Sequence, residues 1–324
     1  MKLLITGGAG YIGSHVVLAA LDRNYEVTIF DDLSTGREKN INPNAKFIFG
    51  SIQSHEDLSN LFKHDNYNGV IHLAASKFVR ESMLDPSHYT GNNIIGSLNL
   101  LDKCIQNGVK FFVFSSTASV YGKPKYIPIE ESHCTNPNNY YGYTKLAIER
   151  NLKWYSALKG ITFASLRYFN AAGYDLKKRI VHIENNPCNL IPVIMETIVG
   201  RRPNFSIYGN NYQTEDGTGI RDFVHVSDLA VAHIKSFEYI YSKRKSFIVN
   251  LGSEKGYSVL NILEVIKDIT KVDIHYDFKA PRKGDPSKII ASCSLAKKLI
   301  GWDHKNSDIK TIINSTWEVY KEHT

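Results

Sequence analysis

The chain opens on Lys2-Leu3-Leu4-Ile5-Thr6, a short apolar run without polar alternation, and similar runs recur along its first half. Tyr25 to Phe30, Lys46–Phe49, Gly69–Leu73, Lys110–Phe114 and Ile161–Leu166 share this character. A strand that is apolar on both faces has to be covered on both faces. Between the runs, apolar residues fall three and four apart, which predicts helices over Ser14 to Asn24, His55 to His64 and about Pro86 to Gln106. Asn107-Gly108 stops the last of these. Alternating strands and helices predict an α/β fold, a Rossmann-type doubly wound parallel sheet.

The rhythm changes after about Ala171. Pro187, Pro192, Pro203, Pro281 and Pro286 break up shorter elements, and loops lengthen around Tyr174–Asn186 and Asn210–Gly219. We expect two domains: residues 1–170, then a smaller mixed α/β substrate domain over 171–324. Ile220–His225 and a helix from about Ser227 to Tyr241 are expected to return to the first, so that about 220–250 belongs with it.

The first turn carries chemistry. Gly7, Gly10 and Gly13 follow the first strand at a three-residue period and open a helix. A side chain at the first would block the turn, one at the second a pyrophosphate, and one at the third the packing of helix on strand. The free N–H groups of that helix suit a diphosphate. Asp31 ends the second strand, 18 residues after Gly13, where a carboxylate takes both ribose hydroxyls of an adenosine. A carboxylate there repels a 2′-phosphate, so the expected cofactor is NAD rather than NADP, although Arg37 lies nearby.

Composition narrows the class. Over 324 residues, 43% apolar and 22% charged content are ordinary for a globular protein with ample core. No apolar run is long enough to span a bilayer, and the N-terminal apolar residues run straight into the glycine loop, unlike a signal peptide. Lys and Arg exceed Asp and Glu by 39 − 32 = 7, but the lysines are scattered, so neither nucleic acid nor membrane is an expected partner. The four cysteines (Cys104, Cys134, Cys188 and Cys293) form no C-x-x-C pair, which points to a reducing cytoplasm and no metal site.

A second signal is Tyr141-Gly142-Tyr143-Thr144-Lys145. Tyrosine and lysine at i and i+4 share a helix face. The chain holds six Tyr-x-x-x-Lys pairs, yet only Tyr141 lies near an expected helix start within the sheet half. It comes one crossover after the strand that ends in Ser115-Ser116-Thr117, and ligands of open parallel sheets bind beyond such strand ends. These residues suit oxidation of a secondary alcohol. Tyr141 would take the hydroxyl proton, and Thr117 would hold the hydroxyl. The Lys145 ammonium and a cationic nicotinamide would lower the phenol's pKa from its usual value of about 10.

With these residues in view, the chain resembles the extended short-chain dehydrogenase/reductase family over nearly its whole length, and within it the UDP-hexose 4-epimerases. The motifs are Thr6-Gly7-Gly8-Ala9-Gly10-Tyr11-Ile12-Gly13, Asp31-Asp32-Leu33-Ser34-Thr35-Gly36, His72-Leu73-Ala74-Ala75 with Lys77, Ser115-Ser116-Thr117, Tyr141 to Lys145, and Leu166-Arg167-Tyr168-Phe169-Asn170. Most specific is Thr214-Glu215-Asp216-Gly217-Thr218-Gly219-Ile220-Arg221-Asp222-Phe223-Val224-His225-Val226. The resemblance implies NAD-dependent inversion at C4 of a UDP-hexose, UDP-galactose to UDP-glucose, through a transient 4-keto sugar and with no net use of NAD. It implies that Gly7, Gly10, Tyr11, Ile12, Gly13, Asp31, Asp32, Ser51, Ile52, Ala74, Lys77, Asn93, Ser115 and Phe169 hold NAD together with Tyr141 and Lys145. It assigns the UDP-sugar to Thr117, Asn170, Asn189, Leu190, Tyr208, Arg221, Arg282 and Asp285, the arginines suiting a diphosphate. It also implies a homodimer packed through two helices, roughly Asp85–Gln106 and Tyr140–Lys159.

Some positions depart from the family pattern. Ser51 stands where an aspartate usually accepts from the adenine amino group, which implies a contact weaker by about 1 kcal/mol. Thr117 replaces a common serine, and Tyr140 a common proline. Ile289 falls near the position whose bulk excludes or admits N-acetylated sugars, so acceptance of UDP-N-acetylglucosamine stays open; UDP-glucuronate or a UDP-pentose also stay open as alternative substrates of a 4-epimerase. A 4,6-dehydratase would need an Asp-Glu pair where Ala118 and Ser119 stand. A non-catalytic NAD-binding sensor would be expected to lack the tyrosine–lysine couple.

Overall fold

The computed structural model describes residues 1–323 except His64 and Lys283. The expected helix end at His64 and the far end of the second domain, Thr324, therefore lie outside the described residues. Strands run in chain order as β1 (Lys2–Thr6), β2 (Glu26–Asp31), β3 (Lys46–Phe49), β4 (Gly69–His72), β5 (Phe111–Thr117), β6 (Thr162–Tyr168), β7 (Asn170–Ala172), β8 (Phe205–Tyr208), β9 (Ile220–His225), β10 (Phe247–Leu251), β11 (Gly256–Ser258), β12 (Tyr276–Lys279) and β13 (Lys288–Ile289). The α-helices are α1 (Tyr11–Leu21), α2 (His55–Lys63), α3 (Val79–Leu84), α4 (Pro86–Tyr89), α5 (Gly96–Gln106), α6 (Tyr140–Lys159), α7 (Leu190–Ile198), α8 (Val226–Lys243), α9 (Val259–Thr270), α10 (Ser294–Ile300) and α11 (Ile309–Tyr320).

Seven parallel strands form the main sheet in the order β10-β6-β5-β4-β1-β2-β3. Side chains alternate between its faces. Leu3, Ile5, Val27, Ile29 and Val113 pack with Val16, Val17, Leu229 and Phe237 of α1 and α8. Leu4, Phe30, Val70, Phe112 and Phe114 pack with Leu58, Leu100, Leu101, Ile148 and Leu152 of α2, α5 and α6. The order reverses direction between β1 and β4, and the crevice opens there.

Two expectations are corrected. The helix over about Pro86 to Gln106 is broken into α4, a π-helical turn Thr90–Ile95, and α5. Gly91 lies within this turn and Gly96 directly follows it, and both weaken the regular ladder. Ile220–His225 does not return to the main sheet. As β9 it pairs with β7, β11 and β13, because the carboxylate of its Asp222 gathers the N–H groups of Ser253, Glu254 and Ala291 from outside the main sheet. Only α8 and β10 rejoin, β10 pairing with β6. A further core, including Ile194, Met195, Phe223, Ile262 and Ile312, holds α7, α9 and α11 around the smaller sheets. Among the described residues, no helix is long and apolar enough to cross a membrane.

Candidate active site

A cleft of about 920 Å³ lies at the reversal of the main sheet. Its walls include Gly7, Gly10, Tyr11, Ile12, Gly13, Asp31, Asp32, Ile52, Ala74, Lys77, Tyr141 and Lys145. Gly7 has φ +73°, and a Cβ on it would lie 2.6 Å from the backbone nitrogen of Ala74. A Cβ on Gly13 would lie 2.0 Å from the Gly7 carbonyl oxygen, so α1 can reach β1 only without a side chain there. No side chain among the described residues caps the N-terminus of α1, whose first residues line the cleft. Those open N–H groups are donors suited to a diphosphate.

The Asp31 carboxylate accepts from the N–H groups of Ala9 at 3.0 Å and Leu33 at 2.9 Å. Burial pushes its pKa up, and these two bonds oppose the rise. A carboxylate fixed in this way, with oxygen lone pairs to spare, fits a pair of ribose hydroxyls. Arg37 is engaged by the side chain of Asn185 instead of facing the cleft. The donor set therefore fits a dinucleotide without a 2′-phosphate.

Tyr141 and Lys145 project from the first turns of α6, whose N-cap Asn139 accepts from Gly142 N at 2.8 Å. Both are buried. Lys145 Nζ lies 5.9 Å from the Tyr141 ring centre and 5.0 Å from that of Phe114. Burial pushes the Tyr141 phenol well above its ordinary value, while Thr117 beside it pulls the other way. Burial lowers Lys145 to about 7. The expectation that the lysine depresses the phenol is corrected for the protein's own groups: each loses water, burial dominates both, and each is shifted toward its neutral form.

Other expected cofactor residues lie outside the cleft wall. Ser115 donates to His233 Nε2 at 2.9 Å, since His233 Nδ1 faces the Leu229 carbonyl and must carry the proton. Asn93 is buried and bonds to Ser76 and Thr144. Ser51 accepts from Gln53 N, and Phe169 joins the main core. Lys77 does line the cleft, paired there with Glu184. Sequence reasoning missed Glu184, which comes from the long loop after β7, and Tyr168, which ends β6 beside the cleft and is pushed to about 12 by burial. The quoted motif Leu166 to Asn170 already contained Tyr168.

A second cleft of about 1020 Å³ begins at Asn170, two residues beyond Tyr168. Asn189, Leu190, Tyr208, Arg221, Arg282 and Asp285 line it; Thr117 does not. Arg221 Nη2 pairs with Asp285 Oδ1 at 2.6 Å, and the Arg282 guanidinium lies 4.5 Å from the Tyr208 ring centre. Two guanidinium groups in one recess suit a diphosphate, and the stacked tyrosine offers a flat face. Ile289 pairs with Arg221 across β13 and β9, outside this wall. Among the described residues, no group of three or more His, Cys, Asp or Glu could hold a metal.

Comparison with known proteins agrees with this geometry. A UDP-glucose 4-epimerase of Halalkalibacterium halodurans is 41% identical over 323 residues, covering 100% of this chain and 96% of that one. The crystal structure of a Brucella ovis UDP-glucose 4-epimerase in complex with NAD matches at 36% identity and a TM-score of 0.95, covering 98% of each chain. A Bifidobacterium longum UDP-glucose 4-epimerase in complex with NAD+ and UDP matches at 33% identity and a TM-score of 0.93, covering 99% of this chain and 98% of that one. Residues 3–252 match the family described as NAD dependent epimerase/dehydratase, and with the glycine turn, Asp31 and the Tyr141–Lys145 pair in place, the chain belongs to that family.

Proposed function

We propose that the protein inverts C4 of UDP-galactose and UDP-glucose using a resident NAD. One observation carries the reading: Tyr141 and Lys145 wall a dinucleotide cleft that reaches Tyr168 at the end of β6, and a second cleft bearing Arg221 and Arg282 is walled from Asn170, two residues on. When bound, NAD supplies the hydride acceptor and a positive ring that favours the phenolate. Tyr141 accepts the sugar 4-hydroxyl proton and returns it, and Thr117 orients the groups beside it. Arg221 and Arg282 anchor the diphosphate while the sugar presents its other face. Gly7, Gly10, Gly13 and the α1 N-terminus hold the cofactor diphosphate, and Asp31 holds its adenosine ribose.

Residues 1–170 with α8 and β10 form the dinucleotide-binding part in this reading, and the rest forms the sugar-nucleotide part. The exposed apolar side chains of Tyr143, Trp154 and Leu158 on α6, with Ile95 just before α5, support a homodimer, because a lone chain gains nothing from such a face. The four free thiols suit a reducing cytoplasm. The test is to mix purified protein with UDP-galactose, add no NAD, and follow C4 inversion by NMR. UDP-glucose should appear. Unchanged UDP-galactose, with NAD present in the protein, would reject the reading.

A further inference from the structure

We propose that Tyr140 is a positioning residue for Tyr141: its hydroxyl clamps the first turn of α6 to the π-helical turn Thr90–Ile95. The proposal rests on the reading of Tyr141 as the proton-transfer group. Tyr140 is the first residue of α6, where backbone N–H groups have no helical partner. Its phenol oxygen lies 2.6 Å from Thr90 Oγ1. Thr90 has one hydroxyl proton, and the Pro86 carbonyl, which can only accept, lies 2.9 Å away. Tyr140 is therefore the donor to Thr90. Its ring packs against Tyr143, with centres 5.4 Å apart.

The same turn grips α6 a second time. Asn93 Nδ2 donates to Thr144 Oγ1 at 3.1 Å, and Thr144 donates to the Tyr141 carbonyl at 2.8 Å. These two grips, at Tyr140 and Thr144, flank Tyr141. The Tyr141 N–H is held by Ser82 Oγ at 3.0 Å. Asn93 also takes the N–H of Ser76 at 2.8 Å and donates to its carbonyl at 2.9 Å, and Ser76 walls the dinucleotide cleft. One π turn thus ties the proton-transfer helix to the cofactor wall. π turns recur at functional sites because they redirect a few side chains without ending a helix. The Asn93–Thr144 grip is buried, whereas the Tyr140–Thr90 bond is half-exposed and can be removed one atom at a time.

The test uses the full-length protein carrying Tyr140→Phe, Thr90→Val, both together, or Thr90→Ser, with Tyr141→Phe as control. The readouts are kcat and KM without added NAD, released cofactor, Tm, and the pH profile of kcat. Tyr140→Phe and Thr90→Val should each lower kcat about five- to tenfold, with KM and bound NAD unchanged and the limb of the pH profile displaced. The double variant should fall no further than either single one, and Thr90→Ser should restore kcat. A kcat within about twofold of the parent in Tyr140→Phe, multiplicative losses in the double variant, or a lower Tm with an unmoved pH profile overturns the proposal. Turnover retained in Tyr141→Phe would overturn the reading beneath it, which the other variants leave untouched.

Discussion

Beneath the site lies a buried charge pair whose removal has a calculable effect. Glu149 on α6 accepts from Ser116 Oγ at 2.6 Å, Arg167 Nε at 2.9 Å and Arg167 Nη2 at 2.5 Å. The side chains of Arg167 and Glu149 are only 5% and 2% exposed, so water cannot replace a lost partner. Burial works against the Arg167 charge, and the bonds from Glu149 outweigh it and raise its pKa further. Glu149→Leu leaves a buried guanidinium with the Tyr121 hydroxyl at 3.0 Å as its nearest remaining partner. Breaking one side of such a pair costs about 3–5 kcal/mol. A chain of 324 residues loses about 0.7 kcal/mol per kelvin near its midpoint, so Tm should fall by about 4–7 °C. Scanning calorimetry of the parent and the variant measures the change. In Glu149→Leu with Arg167→Met, most of the loss should return, since an apolar pair of similar volume needs no charge desolvated. A drop below about 1 °C in the single variant, or a double variant worse than the single one, would refute the reasoning.

Three further outcomes are expected. Gly13→Ala forces a Cβ to within 2.0 Å of the Gly7 carbonyl, so purified protein should lose bound NAD; full cofactor content would contradict the packing argument. Tyr141→Phe should lower turnover by about 10²–10⁴-fold while bound NAD stays and Tm moves by no more than about 2 °C; ordinary turnover would remove Tyr141 from the mechanism. Burial holds His15, His225 and His233 near about 4 and His72 near about 3. The unfolded chain takes up these protons first as pH falls below about 6.5, so unfolding free energy should fall with pH. The loss is up to about 5 kcal/mol per pH unit for the four, reduced by Asp222, whose folded pKa of about 6 works in the opposite sense. Urea titrations between about pH 7 and 5 should show this slope, and a flat profile would exclude it.

The first four strands were legible because short, continuous apolar runs alternating with helical periods fit a parallel sheet covered on both faces. The apolar run Lys110–Phe114 was expected to end in Ser115-Ser116-Thr117, and β5 does run from Phe111 to Thr117. Ser115, Ser116 and Thr117 look like turn residues in sequence, yet partners from α8, α6 and Ser119 satisfy their hydroxyls. Those partners lie as far as 118 positions away, which no local pattern reveals. For the site, spacing indicated which residues come near the crevice but not which way they point. Gly13 and Asp31 could be placed at the cleft from sequence because the backbone alone puts them there, at the start of α1 and the end of β2. Asn93 and Ser115 could not, because their side chains turn inward to Thr144 and His233. Glu184 had no signal at all: it sits in a loop without periodicity, brought over the cleft by its pairing with Lys77.

The polypeptide passes between the main sheet and the smaller sheets more than once: from β6 to β7, from β9 into α8, and from β10 to β11. A lobe hung from a single tether can swing wide to shed its contents; one sewn on by several seams resists such opening. An oxidised sugar held between them would have to pivot inside a chamber of nearly constant size. Retention of that reactive ketone then follows from how the chain is threaded, with no dedicated gate needed.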